Sequence, residues 1–228
     1  MACTHGSSDK SPELRKAHRW ALSGELLRSC PDGSGAGMAS LDVKGELHGY
    51  LRGARETLVW KLDGLGEYDI RRPLTPTGTN LLGLVKHCTA THLGYFGEVF
   101  GRSNEALAAR FSGDAGPSAE FWATPDEARE DIVNDFREAW DFSDATINEL
   151  ALDAVGHVWW WGNAPVTLHH ILVHVTAETQ RHAGHADIVR ELIDGSAGLL
   201  NGVDSLQVRT AEQERFRGQV EAAAAHFQ

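Results

Sequence analysis

The chain has 228 residues, 42% of them hydrophobic and 23% charged, which is the makeup of one globular domain or a domain with a tail. No uninterrupted apolar run approaches the ~18 residues that a membrane-spanning helix needs, so a helical membrane protein is excluded. Acidic side chains outnumber basic ones 32 to 21, and the resulting formal charge of −11 repels phosphate backbones, which sets nucleic acid aside as a partner.

In chain order, Ser11-Pro12-Glu13 offers a helix start, with serine as cap and proline at the first helical position, and loose helical spacing continues to Ser29. A glycine-rich stretch from Cys30 to Met38 reads as a linker. Residues 1–37 are thus expected to be an N-terminal extension and 38–228 the folded domain, with Met38 an alternative start. Charges in the first eighteen residues do not match a secretory signal, and Cys3, Cys30 and Cys88 form no C-x-x-C pair. A reducing, cytoplasmic setting is expected.

From Leu41 the pattern changes. Leu47, Leu51, Ala54, Leu58, Leu62 and Leu65 follow at steps of four and three, as one face of a helix requires. After a polar turn, Thr79 is placed to cap a helix over Asn80 to Phe100. Thr124-Pro125-Asp126-Glu127 combines a capping box with proline at the first helical position and predicts a helix to about Leu150. Thr167 caps another that keeps its period to Asp194 and stops at Gly195, and a final amphipathic helix runs from Thr210 to Phe227. The one candidate strand lies around Gly156–Trp161. Four helices of roughly 20–28 residues predict an all-α bundle, with metal or cofactor sites between facing helices.

Five of the twelve histidines, His169, His170, His174, His182 and His185, fall in the 167–194 helix. With His174 set at 0° on a wheel of ~100° per residue, Ile171, Val175, Val189, Leu192 and Ile193 occupy about 0–100°, Glu178 about 40° and His182 about 80°. Glu178 and His182 therefore interrupt a stripe that should be buried. A buried carboxylate calls for a partner, which could be a metal ion or, equally, a hydrogen bond from His182 one turn away. On the 80–100 helix, His87 lies at the edge of the stripe Leu81, Leu84, Val85, Cys88, Thr91, Tyr95 and Val99. Two histidines and a carboxylate from two helices suit a divalent transition metal with positions left open. His92 sits about 140° from His87 and cannot share its ion. It is read with His169, His170 and His226 as a surface histidine.

NLLGLVKHCTATHLGYFGEVFG, followed at a distance by TLHHILVHVTAETQRHAGHADIVRELIDG, resembles the DinB-like metalloprotein superfamily, and most of all its branch that includes mycothiol-dependent maleylpyruvate isomerase. The likeness covers about residues 41–195. It implies a four-helix bundle of DinB type, here with an extra N-terminal segment and a C-terminal helix. It also implies zinc, or a similar ion such as nickel or iron, held by His87, Glu178 and His182. Glutamate at position 178 matches the isomerase branch, but the tail after Gly195 is too short for that enzyme's substrate region, so its substrate is not carried over.

Sixteen arginines against five lysines point to a GC-rich genome of actinobacterial type, in which mycothiol is the available thiol. The leading expectation is a metal-dependent thiol transferase or isomerase acting on a small electrophile, with His174 and His185 as candidates for orienting groups or for proton transfer. The alternatives are metal-assisted hydrolysis or lyase chemistry, a ferrous oxygenase, and a non-catalytic metal-binding bundle. Substrate and thiol are the expected partners, with a homodimer allowed. Trp159-Trp160-Trp161 and Trp122 either line a pocket or cover the end of the core.

Overall fold

A computed structural model describes residues 42–111, 118–199, 206–207 and 210–227, all within one unit spanning Leu41–Gln228. The expected helix after Ser11 and the linker to Met38 lie outside the described residues. No described helix is long and apolar enough to cross a membrane.

The fold is mostly α-helical, as expected. The helices are α1 (Val43–Trp60), α2 (Glu67–Arg71), α3 (Leu81–Phe96), α4 (Glu105–Ala109), α5 (Arg129–Glu149), α6 (Leu168–Asp194) and α7 (Ala211–Ala225). A hairpin of β1 (Val155–Val158) and β2 (Ala164–Thr167) precedes α6, and the two-residue strands β3 (Ser196–Ala197) and β4 (Leu206–Gln207) pair after it. Helix α1 packs on α6 and α3 on α5, while α3 and α6 join the two pairs.

Helix α1 starts where the Asp42 side chain accepts from the Gly45 N–H and buries Leu51, Ala54 and Leu58. It ends at Trp60, short of the expected Leu65, because the chain tightens into turns from Lys61 and reverses at Gly64, whose φ of 73° suits glycine. Leu62 and Leu65 still reach the core from that turn.

Helix α3 is capped by Asn80 rather than Thr79, the Asn80 side chain accepting from the Gly83 N–H at 2.7 Å. It stops at Phe96, not Phe100. A Cβ at Gly97 would run into the Leu93 carbonyl and the Phe142 ring, and Glu98–Phe100 forms a 3₁₀ turn closed by left-handed Gly101.

The capping box at Thr124 is only half formed. The Thr124 N–H donates to the Glu127 carboxylate at 2.7 Å, yet α5 begins at Arg129. Arg71 takes the Thr124 and Glu127 carbonyls, at 2.9 and 2.7 Å, which a helix from Pro125 would have needed for its first turns. Lys86 meanwhile draws the Glu127 carboxylate at 2.6 Å.

Helix α6 runs as read, from the Thr167 hydroxyl accepting the His170 N–H to Gly195 at φ 81°. Leu192, expected in its buried stripe, is 62% exposed. The candidate strand is real over Val155–Val158, but Trp159–Trp161 form a 3₁₀ turn and the partner strand was not foreseen. Helix α7 carries the capping box of Thr210 and Gln213, and its residues lie largely exposed.

Two apolar clusters fill the bundle. One gathers Leu58, Leu82, Val85, Cys88, Phe136 and Val189; the other gathers Leu51, Phe96, Ile147, Leu168, Ile171 and Val175. Full burial of each such side chain contributes about 1.5–3 kcal/mol, so neither cluster depends on a single residue. Between their levels on α1 and α3 sit two fully buried polar groups, Arg55 and His92.

Candidate metal centre

The groove between α3 and α6 is where the histidine pattern converges. His87 lies on α3, Glu178 and His182 one turn apart on α6, and one ligand atom from each lies within 4.8 Å of the other two. His182 Nε2 is 2.9 Å from Glu178 Oε1, and His87 Nε2 is 3.7 Å from that same oxygen. The two imidazoles meet edge to face, their centroids 4.8 Å apart. Helices α3 and α6 thus bring two imidazole nitrogens and a carboxylate to one point.

Several contacts hold His87 there. A Cβ at Gly83, one turn earlier, would collide with the Phe121 carbonyl oxygen, so glycine lets the 3₁₀ turn Ala119–Phe121 lie on the start of α3. The Asn80 amide donates to that carbonyl at 3.0 Å, and Lys86 donates to the Trp122 carbonyl at 3.2 Å. Phe121 then stacks on His87 at 4.1 Å and 19°. Thr91 donates to the His87 carbonyl at 3.1 Å.

The protonation states suit a cation. Burial, with the nearby His182 as a second contribution, pushes the pKa of His87 below its ordinary value. Burial does the same to His182, against the pull of Glu178. For Glu178, burial works upward but is outweighed by the hydrogen bond and charge of His182, with His87 adding to them, so the carboxyl stays below its usual range. At neutral pH the set is two neutral imidazoles and one carboxylate, the deprotonated forms that metal ligation requires.

The residues also pass a test of fit. Among the described residues Glu178 pairs with these two imidazoles and with no lysine or arginine, so no protein cation offsets its charge. Two nitrogens and one oxygen donor match zinc and neighbouring divalent metals, and three ligands leave coordination open.

His174 lies one turn before Glu178, its ring 4.8 Å from Tyr95 and 4.9 Å from Trp161, and burial lowers its pKa despite Glu178. His185 is exposed, its ring 5.4 Å from that of His182. Neither makes one of the three convergent donors. His169, His170 and His226 are exposed, as read.

His92 is not. It is fully buried, accepting from Arg55 Nε at 2.9 Å and bonded to the Cys88 carbonyl at 2.7 Å. The expected stripe of α3 was centred too far toward Thr91 and Tyr95, which are only half-buried, whereas Leu81, Val85, Cys88, His92 and Phe96 face the core. Sequence reasoning also missed Phe121, which lies outside any helix period, and Arg55. The signal for Arg55 was a charge beside Ala54 on an otherwise apolar helix face.

Among solved structures, the chain is similar to the crystal structure of a conserved protein from Enterococcus faecalis, with a TM-score of 0.55 and 14% identity over 68% of this chain and 99% of that one. This likeness shows the fold. No curated protein matches the chain. A family model described as mycothiol-S-transferase matches residues 46–195, the span holding the α3–α6 groove and all three convergent side chains. By that match the chain belongs to the mycothiol-S-transferase family, one of the DinB-like families.

Proposed function

We propose that this protein is a metal-dependent S-transferase that joins a low-molecular-weight thiol, mycothiol, to a small electrophile. The observation that carries the reading is the convergence of His87, Glu178 and His182 on one half-buried point between α3 and α6, inside the span that the family match covers. In this reading the three side chains hold one divalent ion, zinc fitting the donor set best, with nickel or iron as alternatives. A bound ion supplies a positive charge that lowers the pKa of a thiol and so raises its thiolate fraction at neutral pH.

The chain's own groups do the rest. Glu178 is the one anion of the three, so it offsets half of a divalent charge and leaves the remainder to attract an incoming thiolate. His174, held neutral by burial, is placed one turn away to take up the thiol proton. His185, beside His182, orients that ring from the solvent side. Phe121 covers one face of His87 and keeps water from it. The sulfur's electron pair then forms the bond to the electrophilic carbon, and the leaving group departs with the pair of the broken bond.

The test is thiol consumption by the purified protein with mycothiol and an electrophile such as monochlorobimane, before and after chelation. Activity that disappears with the metal and returns with added zinc supports the reading. A protein that neither retains nor takes up a divalent ion overturns it.

A further inference from the structure

The β1–β2 hairpin carries three consecutive tryptophans whose rings are held in place but left partly exposed. Antiparallel pairing from Val155↔Thr167 to Val158↔Ala164 sets its register, and Gly162 and Asn163, at φ 71° and 60°, close its turn. The Trp159 indole N–H donates to the Glu98 carboxylate at 3.0 Å and that of Trp160 to the Tyr95 hydroxyl at 3.4 Å. Trp160 and Trp161 are nevertheless each 36% exposed. Aromatic rings fixed by hydrogen bonds beside a polar centre, with part of each face open, have the form of a ligand wall.

The patch continues the metal centre. His87, Thr91 and Tyr95 stand at successive turns of one α3 face, and Glu178 and His174 at successive turns of α6. Tyr95 lies 5.2 Å from Trp160 and 5.7 Å from Trp161, and His174 4.9 Å from Trp161. The aromatic rail therefore reaches the metal centre through His174, which lies one helical turn from Glu178 and whose ring touches Tyr95 and Trp161. No lysine or arginine is in ring contact with it among the described residues.

We propose that Tyr95, Trp160 and Trp161 form the subsite for the sugar portion of the thiol cosubstrate; the inference rests on the thiol-transferase reading above. A sugar ring presents apolar C–H faces that lie on indole and phenol rings while its hydroxyls stay at the wet rim. It is neutral, which suits rings that no lysine or arginine stacks on among the described residues. In mycothiol a cysteinyl arm joins sulfur to sugar, so a thiol held near Glu178 directs its sugar along the groove on the His174 side, where Trp161 stands 4.9 Å from the His174 ring.

The experiment uses S-methyl mycothiol, which gives no thiolate, and reads tryptophan fluorescence of the full chain with and without chelator. A saturable change that N-acetyl-S-methylcysteine, the sugar-free analogue, does not produce at the same concentrations supports the subsite. Trp161→Ala is expected to weaken this binding about tenfold, and Trp161→Phe to restore it to within about threefold. In turnover, the ratio of kcat/KM for mycothiol over N-acetylcysteine falls about tenfold in Trp161→Ala, through KM for mycothiol. If that variant does not keep its helical circular dichroism, the wild-type comparison of the two S-methyl ligands decides alone.

Equal responses to both ligands, no saturable response, or an unchanged kcat/KM ratio in folded Trp161→Ala overturns the subsite. Wild-type protein that binds S-methyl mycothiol but consumes no mycothiol with any electrophile supports the subsite and overturns the transferase reading, so the two failures are distinguishable.

Discussion

Arg55 Nε donates to His92 Nε2 at 2.9 Å, and both side chains are fully buried. Because arginine only donates, His92 Nε2 carries the lone pair and its Nδ1 the proton, which goes to the Cys88 carbonyl at 2.7 Å. Arg55 also meets Asp144 at 2.5 Å, and Asp144 is 2.8 Å from His48. Burial alone would raise the Asp144 carboxyl, but the His48 hydrogen bond and the Arg55 charge hold it below its usual range. One carboxylate balances one guanidinium, so a second cation on His92 has no place in this layer.

Stability should therefore fall in mild acid. Burial, and after it the Arg55 charge, pushes the pKa of His92 well below its ordinary value, although the Cys88 carbonyl pulls the other way. The unfolded chain takes up the proton below about pH 6.5 while the folded chain refuses it, so this contribution is complete above that pH and is lost as pH falls. The slope is at most about 1.4 kcal/mol per pH unit for one such site. Urea melts at pH 7.5, 6.0 and 5.0 should show the decline, and His92→Gln, which keeps donor and acceptor but does not titrate, should make it shallower.

Alanine at the two histidines of α3 should separate fold from site. His92→Ala strands Arg55 Nε in the core and should cost roughly 2–4 kcal/mol without lowering metal content per folded chain. His87→Ala removes a half-buried ring at the groove edge and should lower metal occupancy sharply with helix content retained. Elemental analysis beside denaturant melts would check both, and equal metal loss in the two variants would contradict the assignment.

How much of this could be read in advance depended on how local each determinant was. Helix α6 was legible because Thr167, Gly195 and the stripe between them belong to one segment, and the same wheel put Glu178 beside His182. His92 was misread because its burial is decided by Arg55, 37 residues away, and a wheel contains no partner. The start of α5 was misread for a related reason: Thr124 and Glu127 form a good local signal, but Arg71 of another helix takes their carbonyls. Phe121 reaches His87 from a turn without periodicity, so nothing in the local pattern announced it.

Gly83 offers a test of that last contact. Its α-carbon lies against the Phe121 carbonyl, and a methyl there forces the 119–121 turn away from α3. Gly83→Ala gains helix propensity of about 1 kcal/mol but incurs overpacking of typically 1–3 kcal/mol, so a small net destabilisation is expected. Metal affinity should drop more than stability does, because Phe121 no longer packs on the His87 ring. Zinc titration against a fluorescent chelator would measure it, and a variant with unchanged affinity would remove Phe121 from the site.

Glu178→Gln separates a metal ligand from a partner of His182. Glutamine preserves the volume and can still accept from His182 Nε2, so an intrahelical hydrogen bond, which is what 2.9 Å allows, survives the change. What it loses is the negative charge that offsets half of a divalent ion. If Glu178 is a ligand, zinc affinity should fall by at least tenfold, with thiol-dependent activity falling alongside and the melting curve at pH 7.5 little changed. The change in charge also has a signature on the two imidazoles. Glu178 raises the pKa of each against burial, so without its charge both should titrate lower still, visible as a shift of their NMR titration midpoints to lower pH in metal-free protein. A variant with lowered midpoints but wild-type zinc content would show that the carboxylate serves His87 and His182 alone and would remove Glu178 from the ligand set.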